Sequence, residues 1–242
     1  MRRTAACLAL VIACSKGPSS PYVRHHVDGV ASAPCVAWPS RSLTYEIDPN
    51  GSARTPGDTE RAAVTAAFAT WQRVADGCSD FRFVDGQGAS RRNLVVWRER
   101  HCTDVAPPND PCFSDGTCPS TYDCWDDDAA SLAVTTLTYS RSTGALLNAD
   151  IQLNGADWLF TTVDSPPCRE GAVTTDCVGT DVQNTVTHEI GHAVGLDHVD
   201  GVGSTMSPTS PLGETSKRVI DPGTAEGFCA IYPKGGGTPG CN

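Results

Sequence analysis

The stretch His188-Glu189-Ile190-Gly191-His192-Ala193-Val194-Gly195-Leu196-Asp197-His198 decides how this chain is read. His188 and His192 are four apart, so an α-helix sets them on one face, with about 5–6 Å between Cβ atoms. That spacing lets two imidazoles hold one zinc ion. His198 follows six residues after His192, and on a continuing helix it would point away from the pair. The helix must therefore stop between them for His198 to return to the metal. Gly195 stands where the stop is needed, because glycine enters the left-handed conformation that ends helices at little cost. Three neutral imidazoles leave a fourth position open, which marks a catalytic rather than a structural zinc. Glu189 projects about 100° round the helix from His188. It can reach a water at the open position and act as general base for attack on a carbonyl.

Working outward, Val182, Val186, Ile190 and Ala193 form the apolar stripe of that helix, which starts near Thr180 or Asp181. A second helix is expected from Asp58 to Ala75. Ala63, Ala67, Trp71 and Val74 recur on one side, Val64 and Phe68 widen the stripe, Asp58 or Thr59 caps the start and Gly77 the end. Leu43–Ile47 alternates as a strand and ends at the turn Pro49-Asn50-Gly51. Further strands are expected at Phe81–Val84 and Leu94–Trp97. Leu132–Tyr139 and Ala145–Leu153 read as a hairpin around Arg141-Ser142-Thr143-Gly144. Residues 100–130, rich in Cys, Pro and Asp, and residues 161–179 read as loops. No internal repeat is visible.

The 242 residues hold 18 Lys+Arg against 28 Asp+Glu, a net charge of −10. That balance argues against a nucleic-acid partner, which needs a basic footprint. With 39% hydrophobic and 19% charged residues, the chain reads as globular. Arg2 and Arg3 followed by the apolar run Ala5 to Ala13 read as a signal peptide, residues 1–13. The run is shorter than the roughly 20 residues that span a bilayer. Leu10-Val11-Ile12-Ala13-Cys14 resembles the lipobox of bacterial lipoproteins, which implies that Cys14 is lipidated and becomes the N-terminus. Residues 14–34, with the pair His25-His26, read as a lipid-anchored tether.

Beyond Cys7 and Cys14, ten cysteines remain: Cys35, Cys78, Cys102, Cys112, Cys118, Cys124, Cys168, Cys177, Cys229 and Cys241. An even count in an exported chain reads as disulfides, with Cys168 and Cys177 the one pair suggested by proximity. The group Cys102 to Cys124 lacks the paired C-x-x-C spacing of a zinc knuckle. Asp123, Asp126, Asp127 and Asp128 are candidate oxygen ligands for calcium, although no EF-hand pattern surrounds them.

The zinc stretch resembles the metzincin metallopeptidases, which share H-E-x-x-H-x-x-G-x-x-H and a later methionine turn. Ser204-Thr205-Met206-Ser207-Pro208 matches that turn, with Met206 as a hydrophobic floor under the histidines. Pro208 stands where the astacin branch has a tyrosine ligand. Trp38-Pro39 before Leu43-Thr44-Tyr45, the helix with Ala67-Phe68 and Trp71, and Glu226-Gly227-Phe228 with Ile231-Tyr232-Pro233 resemble the secreted bacterial matrixins. The resemblance implies an α+β peptidase domain over residues 35–233, followed by a Gly-rich tail at 234–242. It implies a twisted mixed sheet, a first helix, an active-site helix and disulfide-stapled loops. It also implies one catalytic zinc on His188, His192 and His198, with Glu189 as catalytic base and Gly195 and Met206 in support. Its substrate would be an extended protein or peptide, paired with an edge strand at Leu132–Thr136. The expectation is thus a monomeric zinc endopeptidase, exported and lipid-anchored at the cell envelope or extracellular. The alternative is a zinc-stabilised cell-surface binding or adhesion module without catalysis, in which Glu189 has no task.

Overall fold

The computed structural model describes residues 21–86, 92–201, 203–238 and 240–241. In chain order its first strands and helix are β1 (Val23–Arg24), β2 (Ser42–Ile47), α1 (Thr59–Cys78), β3 (Arg82–Asp85) and β4 (Leu94–Arg98). Three short helices follow, α2 (Cys102–Val105), α3 (Cys112–Asp115) and α4 (Cys118–Tyr122). Then come the hairpin β5 (Ala133–Tyr139) and β6 (Leu146–Asn154), β7 (Phe160–Thr161) and β8 (Thr180–Asp181). The chain closes with α5 (Val182–Ala193), β9 (Leu196–Asp197) and α6 (Pro222–Ile231).

Five strands form one mixed sheet in the order β3-β2-β4-β6-β5. β2, β3, β4 and β6 run parallel, and β5 returns antiparallel along β6 as an edge strand. The parallel part needs helical crossovers, and α1 supplies the first. The alternation read in β2 buries Leu43, Tyr45 and Ile47. Tyr45 stacks on Phe68 of α1, and Val64, Ala67 and Trp71 of the same stripe join the core with Val182, Val186 and Ile190 of α5. The fold class is therefore α+β, as the resemblance implied, with both long helices on one face of a mixed sheet.

Several boundaries differ from the sequence reading. α1 runs through Gly77 to Cys78, and the N–H of Ser79 closes it on the Ala75 carbonyl at 2.7 Å. The Asp58 side chain makes no capping bond. A disulfide from Cys78 to Cys229 on α6 holds the end of α1, a tertiary constraint that outweighs the glycine. Residues 100–130, read as a loop, are held by disulfides and contain three short helices. α2, α3 and α4 fold around the bonds Cys102–Cys124 and Cys112–Cys118, making a small core of their own. Cys168 pairs with Cys177.

The expected tether needs correction over its described part. Val23–Arg24 pairs antiparallel with Leu196–Asp197, Val27 is buried, and Cys35 bonds to Cys241. Residues 21–34 therefore belong to the folded body, and the glycine-rich tail is tied to them. The signal-peptide segment, Cys7 and Cys14 lie outside the described residues. Among the described residues no helix is long and apolar enough to cross a membrane.

Replacing Cys78 and Cys229 together by serine is expected to lower unfolding free energy by about 2–5 kcal/mol. Thermal or denaturant unfolding under non-reducing conditions checks this. An unchanged midpoint would show that the bond does not secure α1 to α6.

Candidate metal centre

α5 begins at Asp181, whose Oδ1 accepts the N–H of Asn184 at 2.7 Å. Arg218 donates to the same carboxylate, so the cap is itself held in place. The helix ends after Ala193, and Gly195 takes φ +93°. A Cβ at Gly195 would collide with the Val36 carbonyl, so the turn needs glycine for space as well as for conformation. The carbonyls that the ending helix leaves bare are taken by side chains from far along the chain. Trp38 Nε1 donates to Ala193 O at 2.8 Å, and Tyr232 Oη donates to Val194 O at 3.0 Å. β1 then lies against β9, and the His25 N–H donates to Gly195 O at 2.9 Å.

This turn brings the three histidines together. Their Nε2 atoms lie 3.2 Å (His188 to His192), 3.3 Å (His188 to His198) and 3.1 Å (His192 to His198) apart. Two ligands each 2.0–2.1 Å from a tetrahedral zinc are about 3.3 Å apart, so the donor set fits that ion. The other ring nitrogens are committed. His188 Nδ1 donates to Thr205 O at 2.7 Å and His192 Nδ1 to Leu196 O at 3.0 Å. Those bonds select the tautomer that leaves Nε2 free to bind a metal. Desolvation lowers the pKa of His188, His192 and His198, which favours the neutral form a metal needs.

Met206 is fully buried below the helix. A Cβ at Gly191 would collide with its Sδ, so this second glycine admits the methionine. Ser204 Oγ accepts the Met206 N–H at 3.1 Å, and Asp221 Oδ2 accepts the N–H of Thr205 at 2.7 Å. These bonds hold the turn that supplies the Thr205 carbonyl to His188.

Glu189 is buried beside the three nitrogens, and burial raises its pKa to about 7. Its Oε2 accepts from Thr135 Oγ1 on β5 at 2.6 Å. A cavity of about 610 Å³ opens over this group. Its walls include Ala133, Thr135 and Leu137 of β5, Asn184 and Thr185 of α5, Pro208 to Ser210, and Lys217.

Residues 121–233 match the model of the matrixin family. This part of the chain is a matrixin-like metzincin. The matched span contains every histidine, glutamate, glycine and methionine of the site, and matrixins are in general zinc metalloproteases. No curated protein matches the chain.

The other candidate ligands part company with this site. His25 faces the cavity and lies 3.5 Å from Asp197, while His26 sits against Cys35 and Cys241. Those sulfurs are joined to each other and are not free thiolates. Among the described residues, metal-ligating atoms gather only there and at His188, His192 and His198. The acidic run gathers at neither. Asp123 pairs with Arg98, and Asp127 and Asp128 accept backbone N–H groups of their own loop. Lys217 and Thr185 were not foreseen as site residues, and Thr135 was placed only on the substrate-pairing edge strand, not against Glu189. Their positions depend on pairing between distant segments, and no local spacing announces it.

Gly195→Ala is expected to destabilise the fold by more than about 1 kcal/mol and to weaken metal binding. Zinc titration and thermal unfolding check this, and unchanged affinity would show that the turn can form without glycine. The lowered histidine pKa values also give the metal-free protein a pH dependence. As pH falls below about 6.5, unfolded histidines take up protons before folded ones, so stability falls until the folded imidazoles also titrate. Glu189 acts oppositely. Its raised pKa contributes stability that is full below its unfolded value of 4.5 and is lost as pH rises through about 7. Three histidines outweigh one glutamate, so the metal-free midpoint should drop from pH 7 to pH 5, as scanning calorimetry would show.

Proposed function

We propose that the domain is a zinc endopeptidase that cleaves proteins outside the cytoplasm, with His188, His192 and His198 as metal ligands and Glu189 as general base. The observation that carries this reading is the meeting of three Nε2 atoms at 3.1–3.3 Å beside a buried carboxylate on an open cavity. Zinc, when bound, would supply a Lewis acid for the scissile carbonyl and for a water. Glu189 would take the proton of the attacking water and deliver it to the leaving amine nitrogen. Thr135 would hold Oε2 in place while the proton moves.

The substrate would lie along β5. Leu132 O accepts the N–H of Asn154, so Leu132, Val134 and Thr136 bond inward to β6 in the antiparallel alternation. Ala133, Thr135 and Leu137 then turn their N–H and C=O groups to the free edge, where an extended peptide can add as a strand. Ala133→Pro removes an outward N–H and should raise KM while zinc stays bound. Val134→Pro removes an inward bond and should instead lower the melting temperature. If both variants behaved alike, the edge would not be the binding strand.

A surface module that needed only the metal would have no use for Glu189. Glu189→Ala should retain one zinc per chain and lose about 10²–10⁴ in turnover. His192→Ala should lose zinc and activity together. A wild-type chain that holds zinc but cleaves nothing in a broad mixture of unfolded proteins would leave the binding module standing. Export and lipid attachment at Cys14 complete the proposal, since the signal-like start and the ten paired cysteines suit an oxidising compartment. Mass spectrometry of protein from its own host checks this. An unmodified N-terminus away from Cys14 would count against it.

A further inference from the structure

Lys217 is 4% exposed and lines the cavity of the metal centre. Its Nζ donates to Ser207 O and Thr209 O, both at 2.8 Å. An ammonium has three N–H bonds, and these carbonyls use two. The nearest carboxylate, Glu214, is 3.9 Å away, beyond hydrogen-bond reach. Its oxygens already accept the hydroxyls of Ser210 and Ser216. The cavity therefore meets a buried cation whose charge is answered only at a distance, a costly arrangement unless something else completes it.

Thr185 adds a second unfilled group. It is 5% exposed, lines the same cavity, and its Oγ1 has no hydrogen-bond partner. Its neighbour Asn184 accepts the Lys217 backbone N–H at 2.8 Å and donates to Ser210 Oγ at 3.0 Å. The first of these bonds ties the Lys217 backbone to the helix that carries Thr185. The other charged groups at the cavity have partners: Glu189 takes Thr135, while Asp197 takes His25 and the His198 N–H.

We infer that Lys217 and Thr185 are specificity-determining residues that receive a carboxylate of the substrate beside the scissile bond. The inference rests on the peptidase reading. A carboxylate matches both groups, because it accepts from an ammonium N–H and from a hydroxyl at once, and it supplies the missing negative charge. The carboxylate can come from an Asp or Glu side chain or from a free peptide C-terminus.

The test is the cleavage profile of the full-length, zinc-loaded protein on two peptide sets. One has amidated C-termini with Glu, Gln, Leu or Lys around the scissile bond. The other has free C-termini and no acidic side chains. Amidated Glu peptides should be cleaved about ten- to a hundredfold better in kcat/KM than Leu peptides, the range of one or two charge-assisted hydrogen bonds. A chain-end source would show instead as cleavage confined to the free-carboxylate set. Lys217→Met should abolish the preference, Lys217→Arg should retain most of it, and Thr185→Val should reduce it mainly through KM. Were Lys217 only a strut for residues 207–209, its loss would slow all peptides equally and leave the ratio unchanged, which overturns the inference. A wild-type preference for Leu over Glu with no effect of a free carboxylate overturns it too. If wild type cleaves nothing, the peptidase reading fails by itself. Binding of the same peptides to zinc-loaded Glu189→Ala protein then decides the carboxylate site, and equal affinity for Glu and Leu peptides would refute it.

Discussion

Everything near the metal centre depends on ending α5 within two residues of His192. The helix supplies two imidazoles at the right spacing, but the third can join only if the chain reverses at once. Reversal leaves backbone carbonyls bare in the middle of the protein, where water cannot satisfy them. The chain answers with Trp38 from the segment before β2 and Tyr232 from the end of α6. The two are also linked, the Trp38 backbone N–H donating to Tyr232 Oη at 3.0 Å. The early and late parts of the sequence thus meet at the helix end because both are needed to stabilise it.

The same burial sets the electrostatics. A desolvated imidazole resists protonation, and a desolvated carboxylate resists ionisation. Placing three of the first and one of the second around a single point yields a group that is short of positive charge. A divalent cation supplies it, and on the proposed reading a cation there would return Glu189 to its ionised form. Thr135 and Lys217 act in the same direction on the carboxylate, so β5 and the segment after Met206 are part of its environment.

The sequence made the histidine cluster, the two long helices, the hairpin and most strand positions legible, because each follows from local periodicity or spacing. His188, Glu189, His192, Gly195, His198 and Met206 fall in this class. Thr135 and Lys217 do not, since they reach the site by way of strand order and a distant turn. Gly191 was visible in the motif, but its purpose was not. Only the packing of Met206 against the helix shows why a side chain is excluded there. The segment at 21–34 misled because its composition is that of a linker, while its order comes from pairing with β9 and from a disulfide. Proline, glycine and serine report weak intrinsic preference, and tertiary partners can override that.

The bond between Cys35 and Cys241 joins an early and a late part of the folded body, with 206 residues of separation. Topologically the domain is a ring. A single backbone nick anywhere between those cysteines opens the ring without releasing a fragment, and Cys78–Cys229 encloses a second, inner ring. On the proposed reading a neighbouring copy is itself a peptidase, and the ring changes what a cut would do. One cut in an exposed turn converts the ring into a linear chain held in its old shape by the remaining contacts. The metal centre loses a residue only when two cuts fall on the same arc.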